Sequence, residues 1–523
     1  MTFARTVLAA AFIFGPHIAG ATDLKVGLGL EPTSIDPHYH NFTPNNAVAQ
    51  HFFDGIVNFD ERQQPVPGLA QSWRTVNDTT WEFVLRPGTH FQDGAPVTFD
   101  DIVFSIQRSA NIPNSPSGFG MFSTGMTFVH VSDAVLQIKT ATPNPIVPNN
   151  LANVMVVRRK LAEGAGNAEF NNGTATIGTG PYRFVSFIPG DRMTMTANPD
   201  YWGGKPTFNN VEFRFIKAGA SRVAALLSGD VDFIDAVPPP DIARLKANQR
   251  ITVVSGVTNR LIFLGTDQFR TESPYVSNSG GKNPFLDPRV RHAISKAINR
   301  DALTAQVLEG AGQPAGQLLP DSYFGTSPRM KPDAFDPVEA RRLLTEAGYP
   351  NGFDVVLHGP RDRYVNDTQV AQAVAQMLTR VGIRVSVETL PGSIFFAAAT
   401  SGGPDKTPKF SFILNGINSG TGESSAGLRS LLGTYDPARG FGASNRMRYS
   451  NPAFDTLMEE ALRTVDDKPR AELLARAIDL AIGTDAAIAP LYFQLSVWAS
   501  RRGLDYLPRG DETTEVMSLR ISQ

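Results

Sequence analysis

Short alternations of apolar and polar residues recur along the chain, and segments of helical period separate them. Leu24, Val26, Leu28 and Leu30 alternate with polar or small residues. That is the period of a strand with one buried face. The same pattern predicts strands at Trp81–Leu85, Val135–Thr140, Tyr182–Phe187, Met193–Ala197 and Val211–Ile216. Phe99–Ala110, Ala220–Ser228 and Pro239–Ala247 read as helices, the first opened by Asp100 and Asp101 as capping and dipole-compensating acids. The longest helical pattern runs over Asp287–Glu309. Asp287 suits its cap, Pro288 its first turn, and Val290, Ala293, Ile294, Ala297 and Ile298 recur at three and four. Farther on, Asp336-Pro337 opens a helix that ends at Gly348, Phe353–His358 is a strand, Asp367–Val381 a helix, and Ile383–Leu390 and Phe410–Leu414 are strands. Helices at Asn451–Thr464 and Lys468–Ile482 and strands within Pro490–Ala499 complete the series, and Asn278–Lys282, Ser401–Thr407 and Ser419–Gly427 read as loops. Such alternation of strand and helix predicts an α/β architecture with helices on both faces of a sheet.

Length sets the scale: 523 residues suffice for several structural units. The formal net charge of −2 gives no basic excess for nucleic acid or an anionic membrane. The chain has no cysteine, which removes disulfides, thiolate metal sites and cysteine nucleophiles together. At the start, Arg5 precedes the apolar run Thr6–Phe14, a Gly15-Pro16 break and the small residues Ala19-Gly20-Ala21. This is the three-part pattern of a cleaved export signal over residues 1–21, with no cysteine after it to carry a lipid. The apolar run is about half of the ~20 residues that would span a bilayer. The mature chain is therefore expected to be periplasmic in a Gram-negative cell and not membrane-inserted.

Catalytic motifs are absent from the sequence: there is no HExxH, GxSxG or GxxxxGK[ST] pattern. Gly178-Thr179-Gly180 and Gly164-Ala165-Gly166 do not open a helix after a strand as a dinucleotide site requires. Of the eight histidines, His38 and His40, with His51 beyond, form one local group. They would hold a metal only if they converged, and hydrogen-bonded histidines are the plainer reading. No catalytic residue, metal site or cofactor is assigned, and the chain reads as a binding protein, not an enzyme.

Several blocks then carry a resemblance. They are Pro67–Trp73 (PGLAQSW), Thr80–Gly88 (TWEFVLRPG), Phe91–Ser105 (FQDGAPVTFDDIVFS), Gly178–Tyr182 (GTGPY), Asn198–Pro206 (NPDYWGGKP), Gly229–Asp232, Pro284–Ile294 (PFLDPRVRHAI), Ala297–Arg300 and Ala340–Phe353. In this order they resemble the family 5 extracellular solute-binding proteins, the peptide, oligopeptide and nickel binders that deliver to ABC transporters. The resemblance implies a two-lobed periplasmic binding protein fold with an extra β-rich subdomain in the first lobe and a two-strand hinge. By that pattern residues 22–262 and 490–523 form lobe I, with the subdomain at about 50–180, and 263–489 form lobe II. Crossings are expected near Leu261–Gln268 and Leu491–Val497. The implied cargo is a di- or oligopeptide enclosed between the lobes, the implied partner the transmembrane permease of an ABC importer, and the implied state a monomer.

The resemblance also nominates residues. Dipeptide binders carry an Arg–aromatic–Asn arrangement whose arginine takes the ligand carboxylate. Here the loop offers Arg361, Arg363, Tyr364 and Asn366, and spacing does not choose between the two arginines. A salt bridge to Asp362 or Asp367 is the competing reading. The second loop, Asn415, Ile417, Asn418, Gly420 and Glu423, departs from the family pattern. Ile417 stands at the tryptophan position and Gly420 at that of the acid that holds a ligand ammonium. Glu423 either replaces that acid or caps the helix Ser424–Leu432. A longer or blocked peptide, an opine or a sugar conjugate therefore becomes an alternative cargo. A metal complex or heme is a further alternative on the same fold, and a secreted hydrolase the remote one.

Overall fold

The computed structural model describes residues 23–522. The export segment read at residues 1–21 lies outside them. A twelve-stranded sheet runs through the molecule. Asp23–Leu28 pairs in parallel with Asn210–Phe215, and Arg192–Ala197 and Tyr182–Ile188 extend that side antiparallel. The other side carries Phe412–Ile417, Phe353–Pro360 and Ile383–Leu390, the last two in parallel register from Phe353↔Ile383 to Pro360↔Leu390.

Between these sides lie two long antiparallel strands, Ile251–Thr266 and Ile488–Arg501. Residues 251–257 pair with 495–501, and 261–265 with 488–493. The register breaks between Val257 and Leu261, so Thr258, Asn259 and Arg260 together face Gln494. A bulge of this kind turns side chains out of the ladder. All three are nonetheless buried, and the Thr258 hydroxyl donates to the Gln494 carbonyl at 2.8 Å. From Leu261 to Gly265 no position alternates outward, because the strand is covered on both faces.

A separate four-stranded sheet, in the order Ala70–Asn77, Thr80–Leu85, Val135–Thr140, Met126–Ser132, packs with the helix Phe99–Ala110. Thr98 and Asp101 cap that helix reciprocally, which explains the acidic pair at its start. The two edge strands escape a pattern search because they bury few side chains. Of the eight residues in Ala70–Asn77, only Ala70 is buried. Buried Asp54 ties this region to the large sheet. Its carboxylate accepts from Thr179 Oγ1 at 2.8 Å, Tyr201 Oη at 3.1 Å and Trp202 Nε1 at 2.9 Å. Two of the sequence blocks thus converge on one carboxylate. A Cβ on Gly178 or Gly180 would run into the Phe52 backbone, so these glycines permit a close approach of the two segments.

The helix expected over Asp287–Glu309 is broken. Pro288–Lys296 ends at Ala297, and Asn299 starts a new turn by accepting the Ala302 amide at 2.9 Å, after which Leu303–Val307 winds as a π-helix. The apolar spacing persists across the break, which is why periodicity does not reveal it. The stretch Ser419–Gly427 is not wholly loop, since the helix Ser424–Leu432 begins inside it.

Candidate functional site

The strand Phe353–Pro360 delivers the chain into the loop 361–366, and the helix Asp367–Thr379 follows. Asp367 folds the loop back on itself: its Oδ2 accepts the amides of Arg363 at 3.0 Å and Tyr364 at 3.2 Å. Asn366, in the left-handed region at φ 52°, donates its amide to the Val307 carbonyl at 2.9 Å. Pinned at both points, the loop turns Tyr364 inward. The Tyr364 hydroxyl accepts the Gly416 amide at 2.9 Å and lies 3.3 Å from Asn415 Oδ1. A side chain at Gly416 would clash with the Tyr364 ring. The Arg363 guanidinium passes over that ring at 5.5 Å.

Arg363 enters a cavity of about 460 Å³. One wall comes from the N-terminal third of the chain, with Phe42, Phe59, Gln63, Phe119, Met121, Phe122 and Asn153. The facing wall has Arg363, Phe396, Gly416 to Thr421 and Arg446, while Arg260 reaches in from the bulge between the long strands. An adjoining space of about 290 Å³ shares Phe42, Thr43, Arg363 and Thr513 with it. The two walls bond to each other. Asn149 Nδ2 donates to the Thr421 carbonyl at 2.8 Å, Asn153 Nδ2 to the Gly420 carbonyl at 2.9 Å, and Asn259 Nδ2 to the Ser419 carbonyl at 2.7 Å. Gly420 has no room to spare: a Cβ there would stand 3.3 Å from the Phe122 ring.

The charges on this cavity are unevenly satisfied. Arg260 forks onto Glu512 at 2.7 and 2.6 Å, and Asp511 receives Arg509 at 2.7 Å. Burial and the nearby Arg260 pull Arg363 below the usual guanidinium range, and burial does the same to Arg446.

Of the nominated residues, Arg363, Ile417, Asn418 and Gly420 line the cavity. Arg361 does not; its backbone amide bonds the Leu390 carbonyl at 3.0 Å. Tyr364 and Asn415 are buried behind the wall and hold it in shape. Asn366 is a loop anchor, away from the cavity. Glu423 does not line the cavity. It caps the helix Ser424–Leu432 through the amides of Ser425 at 2.9 Å and Ala426 at 3.2 Å, and it pairs with buried Arg470 at 2.6 Å. Both side chains of that pair are buried. The competing salt bridge for Arg363 is not formed: Asp362 accepts the Gly392 amide and Asp367 the loop amides.

The histidine group is dispersed among hydrogen bonds. His38 Nε2 meets the Met155 carbonyl at 2.8 Å while Nδ1 faces Arg108 at 3.1 Å. His51 Nδ1 meets the Ala47 carbonyl and its Nε2 accepts the Val516 amide at 3.1 Å. His40 Nδ1 lies 3.0 Å from the Thr33 hydroxyl, and none of the three lines the cavity. Gln63, Asn153, Arg260 and Arg446 are functional candidates that sequence reasoning missed. Each comes from a segment far from the two nominated loops, and none sits in a local motif.

Comparison with known proteins places this geometry. The family model for bacterial extracellular solute-binding proteins, family 5 Middle, matches residues 64–438. The glutathione-binding protein GsiB of Pectobacterium atrosepticum is 30% identical over 492 residues, covering 92% of this chain and 91% of that protein. The protein of the same name from Salmonella typhi is 27% identical over 503 residues, covering 95% and 94%. Among solved structures, HbpA2 from Haemophilus parasuis superposes with a TM-score of 0.81 at 22% identity, covering 96% of this chain and all of that one (100%). The unliganded open form of MppA, a periplasmic murein tripeptide binding protein, gives 0.79 at 24%, covering 96% and 98%. The fold is therefore the two-lobed, mixed α/β one of these binding proteins. The chain belongs to the bacterial extracellular solute-binding proteins of family 5.

Proposed function

We propose that the mature chain is the periplasmic binding component of an ABC importer, and that it encloses a peptide or peptide-like acid between two lobes before release to a membrane permease. Lobe I is taken as residues 22–262 and 490–523 and lobe II as 263–489, with the hinge in the two long strands. The observation that carries this reading is a cavity walled from both sides and bridged by side-chain amides of Asn149 and Asn153 onto backbone carbonyls of the loop at Gly420 and Thr421. Contacts made only when the walls meet favour the shut state, and a guest that touches both walls adds to them. The cavity volume suits a ligand of a few residues.

Relatives that bind glutathione, and a fold neighbour that binds a murein tripeptide, support small peptides as the guest class. A second reading is a non-peptide acid. It is favoured by Gly420 standing where dipeptide binders hold the ligand ammonium, and by a fold neighbour solved with agropinic acid. Metal or heme capture through His38, His40 and His51 is disfavoured by their positions. The test is mass spectrometry of material released on unfolding protein purified from the periplasm, joined to small-angle scattering with the recovered compound. A bound small acid and a smaller radius on adding it are expected. Chemically altered products, or a radius that does not change, would refute the reading.

A further inference from the structure

Resting on that solute-binding reading, the charges of the cavity narrow the class of guest. Four charged side chains reach its wall: Arg260, Arg363, Arg446 and Asp511. Arg260 is neutralised by Glu512 and Asp511 by Arg509. Arg363 and Arg446 have no carboxylate within 4.0 Å among the described residues. Arg446 uses only Nε, on the Thr400 hydroxyl at 3.1 Å, so both terminal nitrogens of its fork are open. The Arg363 side chain makes no hydrogen bond among the described residues. Aromatic faces hold both groups, Tyr364 under Arg363 at 5.5 Å and Phe396 under Arg446 at 5.4 Å.

Two guanidinium groups on one cavity wall, neither neutralised by an acid among the described residues, make that wall a natural seat for anions. A planar fork suits a carboxylate best. Meanwhile the acids near the cavity are spent: Glu512 and Asp511 on arginines, and Glu423 on Arg470 behind the wall. The facing wall offers Phe42, Phe59, Phe119, Met121 and Phe122 to an apolar body.

We propose that the guest carries two carboxylates, one held by Arg363 and the other by Arg446, and no ammonium that the cavity must neutralise. A peptide with an acidic side chain and a dicarboxylic amino-acid conjugate both satisfy this chemistry.

The test is calorimetry on protein unfolded and refolded to strip its cargo. The probes are glutathione, Ala-Ala-Glu, their N-acetyl forms, their diesters, N-succinyl-leucine and Ala-Ala-Ala. Two-carboxylate probes should bind, and N-acetylation should change affinity by less than about threefold, whereas each lost charged bond should cost about tenfold or more. Arg363→Met and Arg446→Met, which keep the apolar stems, should each show that loss, and Arg446→Lys should recover part of it. Peptide against conjugate affinity separates the two sources. Tightest binding by Ala-Ala-Ala, an unaltered affinity in Arg446→Met, or no binding by any two-carboxylate probe would overturn the inference. If cargo with a single acidic group is still recovered from natively purified protein, solute binding stands and only this inference fails. If neither probe nor cargo binds, both fail.

Discussion

Replacing Glu423 separates a structural acid from a ligand-binding one. Its carboxylate accepts the Ser425 amide at 2.9 Å, the Ala426 amide at 3.2 Å, the Ser425 hydroxyl at 2.7 Å and the Thr421 hydroxyl at 3.1 Å, besides one terminal nitrogen of Arg470 at 2.6 Å. Its side chain is 2% exposed and that of Arg470 3%, so water cannot replace either partner. Glu423→Ala strands the Arg470 cation in the interior, at a cost of about 3–5 kcal/mol. Loss of the helix cap adds about 1 kcal/mol. Arg470→Met strands the carboxylate instead and should cost a similar amount, partly offset by the four remaining donors. In the double substitution Glu423→Gln with Arg470→Met neither charge is left, and the loss should fall well below the sum of the singles. Urea unfolding followed by circular dichroism measures these differences. Tryptophan emission does not serve, because Trp73, Trp81, Trp202 and Trp498 all lie outside the segment that contains this pair. If Glu423→Ala costs less than about 1 kcal/mol while ligand affinity collapses, the assignment is wrong and the acid belongs to the guest.

Further outcomes are expected. Asn149→Ala with Asn153→Ala removes two bonds between the walls, on the order of 2 kcal/mol together, and should weaken binding of the recovered cargo about 30-fold by calorimetry while leaving the unliganded melting temperature in place. His38 and His51 are pushed down to about 4 by burial, and each has one ring nitrogen facing a donor. The unfolded chain therefore takes up protons near pH 6.5 that the folded chain refuses, and stability should be full above pH 6.5 and fall by about 3 kcal/mol per histidine as pH drops toward 4. Urea midpoints from pH 7 to 4 test this, and an unchanged midpoint would contradict it. Burial raises Glu515 to about 7, the opposite sense: its contribution is full below pH 4.5 and is lost as pH rises through 7. Glu515→Gln should flatten that slope in the same titration.

Much of the fold is legible from alternation alone, because strands such as Val135–Thr140 and Ile383–Leu390 keep one face inward. The edge strands Ala70–Asn77 and Met126–Ser132 are not, since an edge with little to bury leaves no apolar rhythm. Nor is the break at Asn299, where a side-chain cap interrupts the backbone but not the hydrophobic stripe. In the site, Arg363 is readable as one of two arginines in a loop of recognisable composition. What excludes Arg361 is the fixation of the loop by Asp367 and Asn366, a matter of hydrogen bonds and not of spacing. Arg446 carries no local signal at all. Asn445 holds its neighbourhood through the Gly433 and Tyr449 carbonyls at 2.9 and 2.8 Å, contacts that exist only after the chain has folded.

The three residues Thr258, Asn259 and Arg260 interrupt the ladder at the point where it changes sides. Across the gap the two long strands have no paired residues; the Asn259 amide bonds the Gly510 carbonyl at 2.8 Å instead, and side chains carry the other ties. Those ties run from Asn259 to the Ser419 carbonyl and from Arg260 to Glu512, and Arg260 and Ser419 line the cavity. On the proposed binding reading, the place that bends and the place that meets the guest then fall on one tripeptide, with no relay through the packed interior between them.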